Sequence, residues 1–344
     1  MPATLQPEAP PTTAQLDALL HHAAIAPLND IGWLRVTGAD RVRWLNGMVT
    51  NSIQSLAPGE GNYNFALNAQ GRIQADLTAF ALEDSILLET TEAGKLATHL
   101  DHFIIMDDVE LADITSERHG LLIAGPQSIS ILQILGLDKA QPTTPSLHST
   151  TFHAASIDLI HAHSPLVPRF ELWSDHATIT SLTEALTAAG AAVVTPEALE
   201  HLRLLSGTPR YGIDIRDTEK VRDLPQETNQ PHALHFTKGC YLGQEIVERI
   251  HSRGNVHRTL TGLLLTGALP TPGAVIEADG KSVGEITSAA AIPLPASASA
   301  PAQTIHLALA YIRREALAEA QAHNLTLTYP GGIATPIALP YATP

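Results

Sequence analysis

No strand–helix–strand unit recurs at a steady spacing along this chain, and that removes the doubly wound parallel sheet from consideration. Runs with strand alternation stand at Trp33, Leu34 and Val36, at Tyr63, Phe65 and Leu67, at Ile73, Ala75 and Leu77, at 86–90 and through 152–172. Helical patterns lie among them at 13–22, 40–48, 92–102, 178–189 and 196–206. The last opens on Pro196 and stops at Gly207, as helix ends prefer. Asp40 is placed to cap the second. Pro142 to Pro145 mark a boundary, and a loop rich in proline and serine spans 293–301. Beyond Gly254 the texture becomes short strands broken by Pro and Gly, the pattern of a small antiparallel barrel. The fold class expected is α+β.

At 344 residues the chain is long enough for two or three domains with cores of their own. A net charge of −15 argues against broad binding to nucleic acid or anionic membrane. No apolar run approaches the ~20 residues that cross a bilayer, and the start lacks the basic and apolar regions of a signal peptide. Four prolines in 1–12 suggest a loose tail. One cysteine excludes an internal disulfide framework and suits a reducing compartment, so the cytoplasm is expected.

That cysteine lies in Lys238-Gly239-Cys240-Tyr241-Leu242-Gly243-Gln244-Glu245. Ile246, Val247 and Ile250 then take helical spacing. The stretch reads as a glycine loop presenting Cys240 ahead of a helix of about ten residues. Lys238 and the helix N-terminus could each favour the thiolate, and Gly239 and Gly243 could supply backbone conformations closed to other residues. A lone cysteine equally fits a small buried hydrophobe. His232, His235, His251 and His257 surround it without a recognised ligand spacing, so no metal site is expected. Asp76 interrupts an apolar strand, which requires exposure or a partner.

The run 238–245 resembles the K-G-C-[FY]-x-G-Q-E signature of the YgfZ family, folate-binding proteins related to the glycine-cleavage T-protein. Leu224-Pro225-Gln226-Glu227-Thr228-Asn229 before it and Arg253-Gly254 after it agree. Gly38-Ala39-Asp40, 45–51 and 67–73 with Asp76 resemble the N-terminal folate domain, and 284–288 with 309–314 resemble the C-terminal barrel. Leu202-Arg203-Leu204 with Gly207-Thr208-Pro209 resembles the family's LR-x-x-G-x-P segment. The chain departs at Leu199, where the family has a second tryptophan, and at Leu205, where T-proteins carry a pterin-binding glutamate.

The resemblance implies a T-protein-like multidomain fold: a tail and helix over 1–27, a folate-binding core of two interleaved α+β subdomains over 28–255, and a β-barrel over 256–344. It implies tetrahydrofolate or a one-carbon derivative as cofactor, with Cys240, Lys238 and Asp76 as catalytic candidates. Trp33, Asn64, Asp76, Arg203, Gln244 and Glu245 are the cofactor-binding candidates, with Trp33 stacking on the pterin. Arg203, Arg210, Arg216, Arg222, Arg249, Arg253 and Arg258 could meet the anionic folate tail. The implied role is an accessory factor in iron–sulfur cluster assembly or repair, with client or assembly proteins as partners. A folate-dependent aminomethyltransferase and a tRNA-modification factor are the alternatives.

Overall fold

In a computed structural model, the structure describes residues 13–137, 145–218, 221–254, 256–297 and 300–343, with Arg253's side chain also left aside. The tail expected over 1–12, the boundary at Pro142 and Arg253 as a tail-binding cation lie outside the described residues. The described residues divide into two compact units, the first holding 18–194 and 231–248, the second 13–17, 195–230 and the described part of 249–343. Residues 195–230, expected in the folate core, thus belong with the barrel. Among the described residues, no helix is long and apolar enough to cross a membrane.

α1 (Thr13–His21) belongs to the second unit through Asp17 and to the first from Ala18; the first unit then follows β1 (Ala24–Leu28), β2 (Gly32–Thr37), α2 (Arg41–Asn46), β3 (Gly61–Leu67), β4 (Ile73–Ala81), β5 (Ile86–Thr90), α3 (Ala93–Asp101) and β6 (Glu110–Asp113). It continues through β7 (His119–Ala124), α4 (Ser128–Ile134), β8 (Ser146–Phe152), β9 (Ala155–Ala162), β10 (Arg169–Ser174), α5 (His176–Ala188) and β11 (Ala192–Val193). Two sheets result, ordered β3-β4-β5-β2-β6 and β11-β1-β7-β10-β9-β8. Only β1 with β11 is parallel.

Strand alternation sorts each sheet into two faces. Leu34 and Val36 of β2 join Trp44, Leu45, Leu96 and Leu100 in a core under α2 and α3. Phe170 and Leu172 of β10 join Leu182 and Leu186 of α5 in a second core. The alternate residues, Trp33 on β2 and Trp173 on β10, meet edge to face with centroids 5.1 Å apart. Gly120 makes room for this contact: a Cβ there would lie 2.5 Å from the Trp173 ring.

The second unit begins with α6 (Pro196–Ser206), capped by Thr195 Oγ1, which accepts from the Ala198 N–H. Gly207 ends it in the left-handed region at φ 71°. α7 (Gln244–Arg253) begins in the first unit. Then come β12 (Arg258–Gly267), β13 (Val275–Ala278), β14 (Lys281–Leu294), β15 (Gln303–Arg313), α8 (Arg314–Gln321), β16 (Leu327–Tyr329) and β17 (Gly332–Ile337). The six strands close an antiparallel barrel ordered β12-β15-β14-β13-β16-β17. β14 runs on through Leu294, two residues into the expected 293–301 loop, and α8 was not expected from the sequence.

Arg203 ties α6 to this barrel. Its guanidinium donates to both carboxylate oxygens of Glu200 (2.8 and 2.6 Å), to Asp214 (2.6 Å), to the Thr208 carbonyl (2.7 Å) and to Ser288 (3.0 Å). All five N–H groups of an arginine are thereby engaged. Asp214 is fully buried and also accepts from Thr287 and from Ser288. Removing the arginine would leave that carboxylate buried without its charge partner. Arg203→Met is therefore expected to lower the unfolding free energy by about 3–5 kcal/mol, read from the urea midpoint. A shift under about 0.5 kcal/mol, the range of ordinary surface changes, would contradict this.

Candidate functional site

The β3–β4 hairpin carries the candidate acid. Ala66, Ala75, Leu77 and Ala79 face the core under α2 and α3, so Tyr63, Phe65, Asp76 and Thr78 occupy the opposite face. Register sets Phe65 opposite Asp76 and Tyr63 opposite Thr78. The Tyr63 hydroxyl reaches diagonally and donates to Asp76 Oδ2 at 2.8 Å. Asp76 is half-buried. Burial pushes its carboxyl up to about 6 against the opposing Tyr63 hydrogen bond, and the charge of Glu92 adds a smaller upward push. A carboxyl titrating there can hold or release a proton near neutrality, as general acid–base work requires. His232 packs its ring against Tyr63 with centroids 5.5 Å apart, and His163 packs on His232 at 4.6 Å. His232 thus adjoins the tyrosine that bonds the acid, a place its position in sequence did not disclose.

The same sheet face continues across β5 to β2, where Thr78 is opposite Glu89 and Glu89 opposite Trp33. Burial, and then the charge of Glu171, push Glu89 well above the ordinary carboxylate range. Glu171 is buried and accepts from Arg169 at 2.6 Å and from the Trp173 indole at 3.1 Å. Arg118 lies 4.3 Å over the Trp33 ring and pairs with Asp158 at 2.8 Å. Sequence reasoning singled out none of Tyr63, Glu89 or Glu171 as a site residue. An acid amid the apolar runs of 86–90 and 169–173, the same signal that raised Asp76, was there to be used.

The Cys240 loop is seated on the turn of the hairpin that holds Asp76. Gly243 has φ +80°, and a Cβ on it would lie 2.6 Å from the Asn68 carbonyl oxygen and 3.1 Å from Gly71 Cα. Gly71, at φ +70°, lies so close to α7 that its Cβ would be 2.7 Å from the Ile246 Cβ. The Leu242 N–H donates to the Gly47 carbonyl at 3.0 Å. Gly239, by contrast, has open space around it and no left-handed backbone, so the conformational need expected there is absent. Cys240 itself is exposed, which settles against the buried-hydrophobe alternative.

Lys238 is turned inward. Its ammonium donates to the carbonyls of Val49 (2.7 Å) and Asn51, clamping the loop to the segment after α2. Burial lowers its pKa to about 7. The cation expected beside the thiol therefore acts as an anchor. Gln244 accepts from the Tyr241 N–H at 3.3 Å, while Glu245 is exposed on the first turn of α7.

Three cofactor-binding expectations meet side chains already committed. Trp33 is fully buried, with Trp173 and Arg118 packed on its ring, and presents no open face to a pterin. The strand pattern around Trp33 did not show that a second sheet covers it. Asn64 is fully buried on the helix side of β3; its Oδ1 accepts from the Asn51 N–H at 2.8 Å and its amide donates to Asn62. Arg203 is held in the α6 network described above. Of the other arginines, Arg216 bonds Glu285 at 3.0 Å and Arg258 pairs with Asp223 at 2.7 Å and Glu227 at 3.1 Å. Arg222 pairs with Asp217 at 3.2 Å, and Arg249 is exposed. Leu205 is fully buried in apolar packing, and its side chain can accept no hydrogen bond. Among the described residues, no three His, Cys, Asp or Glu side chains are arranged to hold a metal.

Two measurements follow from this geometry. The folded Asp76 carboxyl titrates at about 6, above the ordinary 3.8, so its contribution to stability is complete below the unfolded value and is lost as pH rises through the folded one. Asp76→Asn removes that loss. The melting temperature of the variant minus that of the parent should rise from about pH 4 to about pH 7, and a difference independent of pH would contradict the assignment. Gly243→Ala should cost about 1–3 kcal/mol through left-handed strain, with the Asn68 contact adding to it. An unchanged urea midpoint would show that the loop does not need this seat.

Comparison with known proteins gives a consistent result. Residues 6–227 match the GCVT N-terminal domain family. A chloroplastic protein of Arabidopsis thaliana, provisionally named as a transferase, is 29% identical over 79% of this chain, which spans 63% of that protein's length. An aminomethyltransferase of Nostoc sp. is 27% identical over 82% of this chain and 76% of its own, and one of Streptomyces avermitilis is 27% identical over 80% and 76%. The crystal structure of the glycine cleavage system aminomethyltransferase T from Bartonella henselae matches with a TM-score of 0.79 at 20% identity. It covers 96% of this chain and 89% of its own, a likeness of fold. With the family matched over more than half of its length, this chain belongs to the GCVT N-terminal domain family, among the T-protein-like proteins.

Proposed function

We propose that this protein is a tetrahydrofolate-binding accessory factor of the YgfZ type, acting through the Cys240 thiol in the assembly or repair of iron–sulfur clusters in other proteins. The observation that carries the reading is the position of that thiol. An exposed cysteine is fixed by Gly243 to the hairpin that carries Asp76, the acid of the folate-type domain. A single thiolate does not complete the usual four-ligand cluster site. It can supply one ligand beside a partner's, or undergo reversible oxidation, and a reducing compartment would keep it free between encounters.

The hairpin face suits folate chemically. Asp76, with its shifted carboxyl, can accept from a pterin amino group or hold a proton at Oδ2, and Tyr63 orients that oxygen. When bound, tetrahydrofolate would supply a one-carbon carrier. Folate-dependent aminomethyl transfer is the second reading, favoured by Asp76 and by the names of the relatives. Leu205 weighs against it, because T-proteins hold the pterin there with a glutamate.

The test is a titration of the purified protein with tetrahydrofolate by calorimetry, with Cys240→Ser and Asp76→Ala alongside. The activity of a cluster-dependent enzyme is measured in a strain that lacks the gene and carries each variant. Cys240→Ser should keep folate affinity within about twofold while cluster-enzyme activity falls to the level of the empty strain; Asp76→Ala should weaken folate at least about tenfold, the loss of one charged hydrogen bond. Full cluster-enzyme activity with Cys240→Ser would end the accessory reading. Turnover of an aminomethylated donor with tetrahydrofolate would favour the second.

A further inference from the structure

The chain from α3 to β6 turns outward at Ile105 and Met106. These two residues are 82% and 93% exposed, the most exposed large hydrophobics among the described residues. Single apolar residues on a surface need no account, but two in a row at the tip of a loop do, because a free tip would ordinarily be polar.

The tip is also held firmly. On one side the Phe103 and Ile104 N–H groups return to Leu100 and Asp101, and the Trp44 indole donates to the Phe103 carbonyl at 3.1 Å. On the other side Asp108 is bonded three ways to the Gly38–Asp40 turn. Its N–H donates to Asp40 Oδ2 (3.0 Å), its Oδ2 accepts from the Ala39 N–H (3.1 Å), and its carbonyl accepts from the Asp40 N–H (3.1 Å). Arg43 reaches Asp107 at 2.6 Å. Gly38 allows this approach, since a Cβ there would lie within van der Waals overlap of the Asp108 carbonyl. Asp40, expected to cap α2, makes no side-chain cap and braces the loop instead. A protrusion fixed in this way loses little entropy when it is buried by a partner.

Its position relates it to the thiol. Trp44 of α2 holds the tip, and Gly47, one helical turn further on, holds Leu242 of the Cys240 loop. The surroundings give a sign. Asp101, Asp108 and Glu110 are exposed around the tip and Asp40 and Asp107 flank it, against Arg43, which pairs with those two, and Arg41, whose guanidinium donates to the Gly38 and Glu83 carbonyls. A second copy would bring the same acidic rim on a chain of net charge −15, and like charges across an interface oppose docking.

We infer that Ile105 and Met106 form a docking knob for the iron–sulfur client protein, which receives it in an apolar recess with a basic rim while Cys240 lies alongside. This rests on the function proposed above, and names the surface through which that function selects its partner.

The experiment uses the full chain with Ile105→Ser and Met106→Ser combined, beside Cys240→Ser, in the strain lacking the gene. Cluster-enzyme activity is the readout. Melting temperature and tetrahydrofolate affinity of the purified double variant are measured in parallel, and both should match the parent. Activity should fall at least about tenfold, as when central apolar anchors leave an interface. Ile105→Leu with Met106→Leu should restore it. Parent-level activity in the serine double variant, while Cys240→Ser is inactive, overturns the knob and leaves the proposed function standing. Parent-level activity in Cys240→Ser overturns that function and the knob with it. Sedimentation showing a parent dimer that the serine variant breaks would assign the knob to a second copy, and the inference fails.

Discussion

The approach of Gly243 to the Asn68 carbonyl is the contact on which the rest of the site depends. Backbone here meets backbone at a distance that no side chain could share. The β3–β4 turn must therefore be small at Gly71, the loop must be small at Gly243, and both must take left-handed conformations. The consequence is chemical. Asp76 and Cys240 stand far apart in sequence, yet the hairpin that carries one is the seat of the other. Lys238 and Leu242 hold the loop from either side of the thiol, through Val49, Asn51 and Gly47. Cys240 is thus exposed on a fixed mount, which suits a group that must meet another protein more than one that must be buried for chemistry within the chain.

Much of the architecture was legible because its signals are local. Pro196, Thr195 and Gly207 fix the bounds of α6 with no help from tertiary structure. The barrel followed from short strands and turns, and the hairpin from the turn at 68–71. What lay beyond sequence was pairing. Tyr63 reaches Asp76 only because the register shifts between Ala66 and Leu67, so counting outward from the turn gives the wrong partner. Arg203 shows the same limit. Glu200 is visible one turn earlier on the helix, but Asp214 and Ser288 are brought to it by the barrel. An arginine that looks free in sequence, and that a family pattern marks for an anion, is in fact a structural staple.

Trp33 teaches something about faces. Period-two alternation says which residues share a side of a strand. It does not say what covers that side. In this fold the uncovered-looking face of one sheet meets the corresponding face of another, so an indole that suits a pterin by chemistry is enclosed by Trp173 and Arg118. On the same strip, Asp76 stays half-exposed because it lies toward β3, away from the strand that meets Trp173. A few residues' displacement across one sheet separates a site carboxylate from a core aromatic.

The charges across this face set Asp76 apart from the other buried carboxyls. Glu89 and Glu171 are deeper, and their mutual repulsion, added to burial, favours a proton held on Glu89. Asp76 feels less of this: Glu92 is its one charged neighbour of note, and Tyr63 stabilises its ionised form. Its titration near 6 is burial, with a smaller push from Glu92, set against the Tyr63 hydrogen bond and one from the backbone. The face is therefore graded, from Glu89, pushed well above the ordinary carboxylate range beside the tryptophans, to Asp76 at about 6 toward the edge. The carboxyl placed near 6 is at the Asp76 end, the end on which the Cys240 loop is seated.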